Sequence, residues 1–187
     1  MPERLPVVLL AICLAACGAP PPEVTRDESA ALQTHQLRYE ARRAPGGVEF
    51  TIPFTYRNRS ADSLFLVNCQ YGTRVGNRTV QRVDLSMELQ KKADGTWTKA
   101  WEAITSLCLS PAVWIAPGAA YSDTMRIFGG KPGRAVAPEL AVQRVAGEYR
   151  LVWQQLRRAT PSQSYPDGDT LPTEARVSNS FVLTGGW

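Results

Sequence analysis

The chain predicts an all-β sandwich, on three observations. Apolar residues recur with a period of two through most of the chain. Turn signals built from Gly, Pro, Asn and Asp separate these alternating runs at short intervals. No segment carries a sustained helical stripe, and no internal repeat is present. Together they predict about seven to nine short antiparallel strands.

The first 16 residues stand apart from that pattern. Met1-Pro2-Glu3-Arg4 precedes an apolar run from Leu5 to Ala16, about 12 residues long, the size of a signal-peptide hydrophobic region. A membrane-spanning helix needs roughly 20 apolar residues. The run ends Leu14-Ala15-Ala16-Cys17, an aliphatic residue and two small ones before a cysteine. These four residues resemble the lipobox of bacterial lipoproteins. The resemblance implies a thioether-linked lipid on Cys17, removal of residues 1–16, and acylation of the new amino terminus. The first partner it implies is therefore a lipid bilayer, with each buried methylene contributing ~0.8 kcal/mol. Gly18 and Ala19 follow the cysteine with no aspartate beside it. By the same resemblance this implies the outer membrane, with the domain in the periplasm or at the cell surface.

Residues 17–33 read as a tether. Ala19-Pro20-Pro21-Pro22 favours an extended, semi-rigid spacer. Thr25 and Glu28 stand at capping-box spacing, which predicts a short helix from Arg26 to Gln33. Residues 34–187 then form the sandwich domain. Leu37, Tyr39 and Ala41 alternate with charged residues, and Pro45-Gly46-Gly47 makes a turn. Val48, Phe50, Ile52, Phe54 and Tyr56 give the clearest strand, all on one face. Pro53, on the opposite face, has no N–H for a ladder and predicts an edge or a break in pairing.

Asn58 to Asp62 supplies the next turn, and Leu64 to Cys69 is a compact apolar strand. Val83, Leu85, Met87 and Leu89 alternate up to a hairpin turn at Asp94-Gly95, with Trp97 and Trp101 on the return strand. Val113-Trp114-Ile115 precedes a turn at Pro117-Gly118. Tyr121, Asp123, Met125 and Ile127 share one face, interrupted by the aspartate. Tyr149, Leu151 and Trp153 form another inward set, and the last strand is Val177 to Leu183.

One motif sharpens the fold class. Ala146-Gly147-Glu148-Tyr149-Arg150-Leu151 places a glycine two residues before a tyrosine and an aliphatic residue two after it. This resembles the tyrosine corner of immunoglobulin and fibronectin type III sandwiches, where the tyrosine hydroxyl binds backbone upstream. The resemblance implies an immunoglobulin-like sandwich with Gly147 and Tyr149 as its corner. Leu151 stands where antibody domains carry a cysteine, so a bridge elsewhere is not the antibody-type bond.

Four cysteines divide by role. Cys13 leaves with the signal peptide, Cys17 takes the lipid, and Cys69 and Cys108 remain as a pair in an oxidising compartment. Closing that loop of about 40 residues stabilises the fold by ~4 kcal/mol in the chain-entropy model. A metal site would need more ligands than one histidine and no CxxC spacing provide. The formal net charge is +4, and removing residues 1–16, with Glu3 and Arg4, leaves it unchanged. The basic residues are scattered, including Arg38, Arg42-Arg43 and Arg157-Arg158. That reads as solvated strand edges, not a nucleic-acid surface.

Catalytic chemistry finds no constellation. His35 is the only imidazole and reads as a surface residue at the first strand. No G-x-S-x-G elbow, HExxH pair or phosphate-binding glycine loop is present, so neither catalytic residues, cofactor nor metal is expected. Asp167-Gly168-Asp169 reads as a polar turn, because calcium demands six to eight oxygens. Trp97, Trp101 and Trp153 share parity with core positions and are expected inside, which leaves Trp114 and Trp187 to explain. Asn58-Arg59-Ser60 and Asn77-Arg78-Thr79 match a glycosylation pattern without meaning in a lipobox-bearing chain.

The expected function is a noncatalytic, membrane-anchored envelope lipoprotein that binds an envelope protein or cell-wall partner through its loops. One alternative is a proteinase inhibitor of the small bacterial sandwich type, using Gly72–Arg78 or Gly129–Pro138. Another is a structural or glycan-binding envelope protein.

Overall fold

The computed structural model describes residues 22–44, 47–66, 70–75, 78–83, 87–102, 113–130, 145–154, 156–158 and 169–185. These form an all-β sandwich, with one 3-10 turn at Thr173–Ala175 and no α-helix among the described residues. The chain runs β1 (Leu32–Thr34), β2 (Arg38–Glu40), β3 (Arg42–Ala44), β4 (Gly47–Arg57), β5 (Leu64–Leu66), β6 (Gln70–Val75) and β7 (Arg78–Val83). It continues β8 (Met87–Ala93), β9 (Thr96–Glu102), β10 (Val113–Ile115), β11 (Ala120–Gly130), β12 (Gly147–Trp153), β13 (Leu156–Arg158) and β14 (Phe181–Thr184).

Two sheets face each other. In one, β4 lies between β11 and an edge shared by β1 and β3; in the other the order is β2-β14-β12-β8-β9. The second order resembles the G-F-C-C′ sheet of a variable-type immunoglobulin sandwich, with β2 added beyond β14. A small sheet, β10-β5-β13, and the β6–β7 hairpin complete the topology. Among the described residues, every pairing between these strands is antiparallel except that of β2 with β14.

The core follows from the alternation. Val48, Phe50, Ile52, Phe54 and Tyr56 all point inward from β4, at 5% exposure or less. Across the sandwich Trp153 of β12 is fully buried. It meets Phe54 and Tyr56 edge-on, at 5.6 and 5.8 Å between ring centroids, with Tyr121 also at 5.8 Å. Edge-to-face contacts of this kind add about 0.5–1.5 kcal/mol each beyond the area they bury.

Fourteen strands stand among the described residues where about seven to nine are expected, and the division of the stretch before β4 into β1, β2 and β3 is part of the difference. From Leu32 to Arg42 the chain advances ten residues, while their partners on β4, Tyr56 and Glu49, are seven apart. The surplus lets β2 leave the first sheet and pair with β14 in the second. Pro53 sits at that departure. Its carbonyl accepts from His35 N–H at 3.0 Å, so its missing N–H faces the edge where pairing lapses.

Two expectations are corrected. The short helix over 26–33 does not form. Asp27 instead accepts the Ser29 N–H and hydroxyl, at 2.9 and 2.5 Å, turning the chain into β1. Local side-chain bonding of this kind competes with a helix that is marginal at such a length. The Ser29 hydroxyl in turn holds the Asp27 carboxyl below its ordinary range.

Trp97 is not in the core. Leu89 pairs with Trp101 but Gln90 pairs with Lys99, so a bulge at Ala100 reverses the parity of β9. Trp101 is buried, while Trp97 lies half-buried on the outer face beneath Arg150, whose Cζ is 4.5 Å from the ring centroid. The third tryptophan, Trp153, is inside as expected.

Candidate functional site

The corner at the start of β12 is buried. Gly147 has φ +154°, and a Cβ there would stand 2.7 Å from Lys91 Cε. Glycine therefore leaves Lys91 its place over the Tyr149 ring, with Nζ 5.5 Å from the centroid. Tyr149 is fully buried and its hydroxyl donates to the Val145 carbonyl at 2.6 Å. Burial raises the pKa of that phenol well above its ordinary value. The arrangement holds a strand in place, with its polar groups satisfied within the fold.

Beyond β14, on whose Phe181 both Tyr149 and Tyr39 pack, the edge at β2 is built differently. Residues 35–41 stand as an arch over the edge of β4, pinned at both feet. At the first, Thr34 N–H donates to Asn179 Oδ1 at 2.8 Å, and Asn179 Nδ2 donates back to Thr34 Oγ1 at 2.9 Å. At the second, Ala41 N–H donates to the Thr184 carbonyl at 2.9 Å. Tyr39 points inward against Phe181, at 5.5 Å. Its hydroxyl accepts from Gln36 N–H at 2.9 Å and donates to the Pro53 carbonyl at 3.4 Å. Burial raises this phenol's pKa as well.

Strand parity then decides what faces the space under the arch. Val182 N–H donates to the Leu37 carbonyl at 2.8 Å, so Leu37, Tyr39 and Ala41 turn their backbone groups toward β14. Arg38 and Glu40 turn theirs the other way. On β4 the odd residues face the β1–β3 edge, and Thr51 falls in the gap between those strands. The result is a cavity of about 530 Å³ bounded by Arg38, Tyr39, Glu40, Arg42, Thr51 and Pro53. Arg38, Glu40 and Arg42 are exposed, and none is ion-paired among the described residues.

Other residues singled out by the sequence fall elsewhere. Cys17, Cys69 and Cys108 lie outside the described residues, as do Asn77, Asp167-Gly168, Trp187 and most of Gly129–Pro138. His35 Nε2 is 2.9 Å from Thr55 Oγ1, which is 2.8 Å from Ser122 Oγ, so the imidazole clasps β1 to β4 and β11 on an exposed face. Among the described residues no carboxylate orients that ring, and no group of three or more His, Cys, Asp or Glu could hold a metal. Asn58 is fully buried, donating to the Asp62 and Ile115 carbonyls at 2.8 and 2.9 Å, a placement closed to a glycan. Trp114, 38% exposed and edge-on to Phe65 at 5.3 Å, is the one large apolar side chain left exposed among those described.

The N-terminal segment is fastened to the domain. Arg59 donates to the Ser29 and Glu28 carbonyls, at 2.8 and 3.0 Å, and Arg26 donates to the His35 carbonyl at 2.8 Å. Residues 26–29 are therefore held against the domain beside the arch. No helix among the described residues is long and apolar enough to cross a membrane. No family model, curated protein or solved structure matches this chain.

Proposed function

We propose that the chain is a lipid-anchored, noncatalytic lipoprotein of the bacterial cell envelope, carrying an immunoglobulin-like sandwich as a binding or assembly module. Leu14-Ala15-Ala16-Cys17, closing a short apolar run, carries the reading. Diacylated or triacylated Cys17 fixes the protein to the outer membrane, and residues 18–25 space the domain from it. Cys69 and Cys108 form a disulfide in the oxidising compartment. The partner is an envelope protein or cell-wall component; nucleic acid has no part in it.

Two features of the fold support this reading. The strapping of residues 26–30 by Arg59 and Arg26 gives a tether a rigid attachment. The cavity under the arch supplies a concave polar site on a preorganised scaffold. The test is Cys17→Ser in the native host. Wild type is expected in the membrane fraction, and the variant unlipidated, uncut before residue 17 and released by mild washing if its leader does not hold it. Wild-type protein that fractionates as soluble, or a lipidated Cys17→Ser protein, contradicts the anchor.

A further inference from the structure

We propose that the cavity beneath the arch binds a short acidic peptide, with carboxylates held by Arg38 and Arg42. The inference deepens the binding-module reading and rests on it. A space of about 530 Å³ lies within the range of small-ligand sites, roughly 300–1,000 Å³. Arg38 and Arg42 are among the residues that line it, and the fork of N–H donors on arginine matches a carboxylate bidentately. Neither has an ion-pair partner among the described residues.

The backbone narrows the ligand class further. Arg38 and Glu40 of β2 and Thr51 of β4 direct both N–H and C=O groups toward this space. Paired donors and acceptors on a strand edge complement a peptide backbone. A simple inorganic anion would satisfy the donors and leave the carbonyls and the Glu40 carboxylate facing it. A peptide answers all of them: its amides meet the strand edges, its ammonium meets Glu40, and its carboxylates meet the arginines. Arg38, Glu40 and Arg42 together carry one net positive charge, so the favoured ligand carries one net negative charge. Such a peptide can be free or can hang from a cell-wall polymer.

The test is calorimetric titration of the full-length, detergent-solubilised protein with the tripeptide Ala-Ala-Asp. Its carboxylate-free analogue Ala-Ala-Asn-amide, which keeps the ammonium, and inorganic phosphate serve as comparisons. Saturable one-to-one binding of Ala-Ala-Asp is expected, weakened at least about ten-fold by Arg42→Gln and in the amide, and unchanged by Arg57→Gln at the far end of β4. Arg38→Gln gives a second reading, and melting curves establish that each variant is folded. Absence of saturable binding, equal binding of the amide, full displacement by an equal concentration of phosphate, or indifference to both arginine substitutions overturns the proposal. Cosedimentation with purified cell wall, competed by Ala-Ala-Asp, assigns a polymer-borne source; binding of the tripeptide alone assigns a free one. A negative titration leaves membrane attachment through Cys17 intact. A soluble, unlipidated wild-type protein that still binds the tripeptide removes the anchor alone.

Discussion

The corner at Tyr149 opens the inner strand β12, the arch at residues 35–41 carries the edge strand β2, and the two are finished in opposite ways. At the corner the phenol is buried and hydrogen-bonded to Val145, and the neighbouring Trp153 is enclosed by three aromatic rings. At the arch, three charged side chains stand without ion-pair partners among the described residues, above strand edges that pairing does not reach. A structural element satisfies its polar groups internally, whereas a binding element holds them in readiness. On the proposed binding reading, the corner maintains the fold and the arch carries the recognition surface.

Four measurements sharpen or break that contrast. Trp153→Ala, which empties the centre of the aromatic cluster, is expected to cost about 3–5 kcal/mol in denaturant unfolding. A loss near that of a surface substitution would move the centre of the core elsewhere. Tyr149→Phe keeps the ring and removes one buried hydrogen bond, so a loss of roughly 1–2 kcal/mol is expected by the same assay.

Alkaline pH tests burial without mutation. Burial pushes the Tyr56 hydroxyl up from 10.0 to about 12 and raises that of Tyr149 as well. A phenol with a raised folded-state pKa contributes stability that is complete below the unfolded value. That contribution is lost as pH rises from 10.0 toward about 12. Thermal melts are therefore expected to be level in this respect below pH 10.0 and to fall above it. Tyr56→Phe should make the fall shallower. The smallest effect belongs to the arch: Arg42→Gln is expected to change unfolding stability by no more than about 0.5 kcal/mol. A large loss would make Arg42 a structural residue.

The two regions also differ in how far the sequence reveals them. Uninterrupted alternation from Val48 to Tyr56 marks β4, and Asp94-Gly95 marks the β8–β9 turn, with φ of 50° and 77°. Gly147 and Tyr149 mark the corner through local spacing. The position of Trp97 is hidden, because a one-residue bulge depends on the partner strand and not on β9 alone. The arch is hidden for a related reason. Read along the chain, Arg38, Glu40 and Arg42 are ordinary edge charges. They become a site only because β2 pairs with β14, more than 140 residues away, and exposes Thr51 of β4. Proline at position 53 is the single local sign that pairing lapses there.

Intact mass of the protein taken from its native membrane, with and without reduction, tests the tethered-module account most directly. The expected mass is that of residues 17–187 plus two or three acyl chains, lighter before reduction by the two thiol hydrogens of Cys69 and Cys108. A mass with no acyl chains would contradict the anchor, and a mass unchanged by reduction would contradict the disulfide.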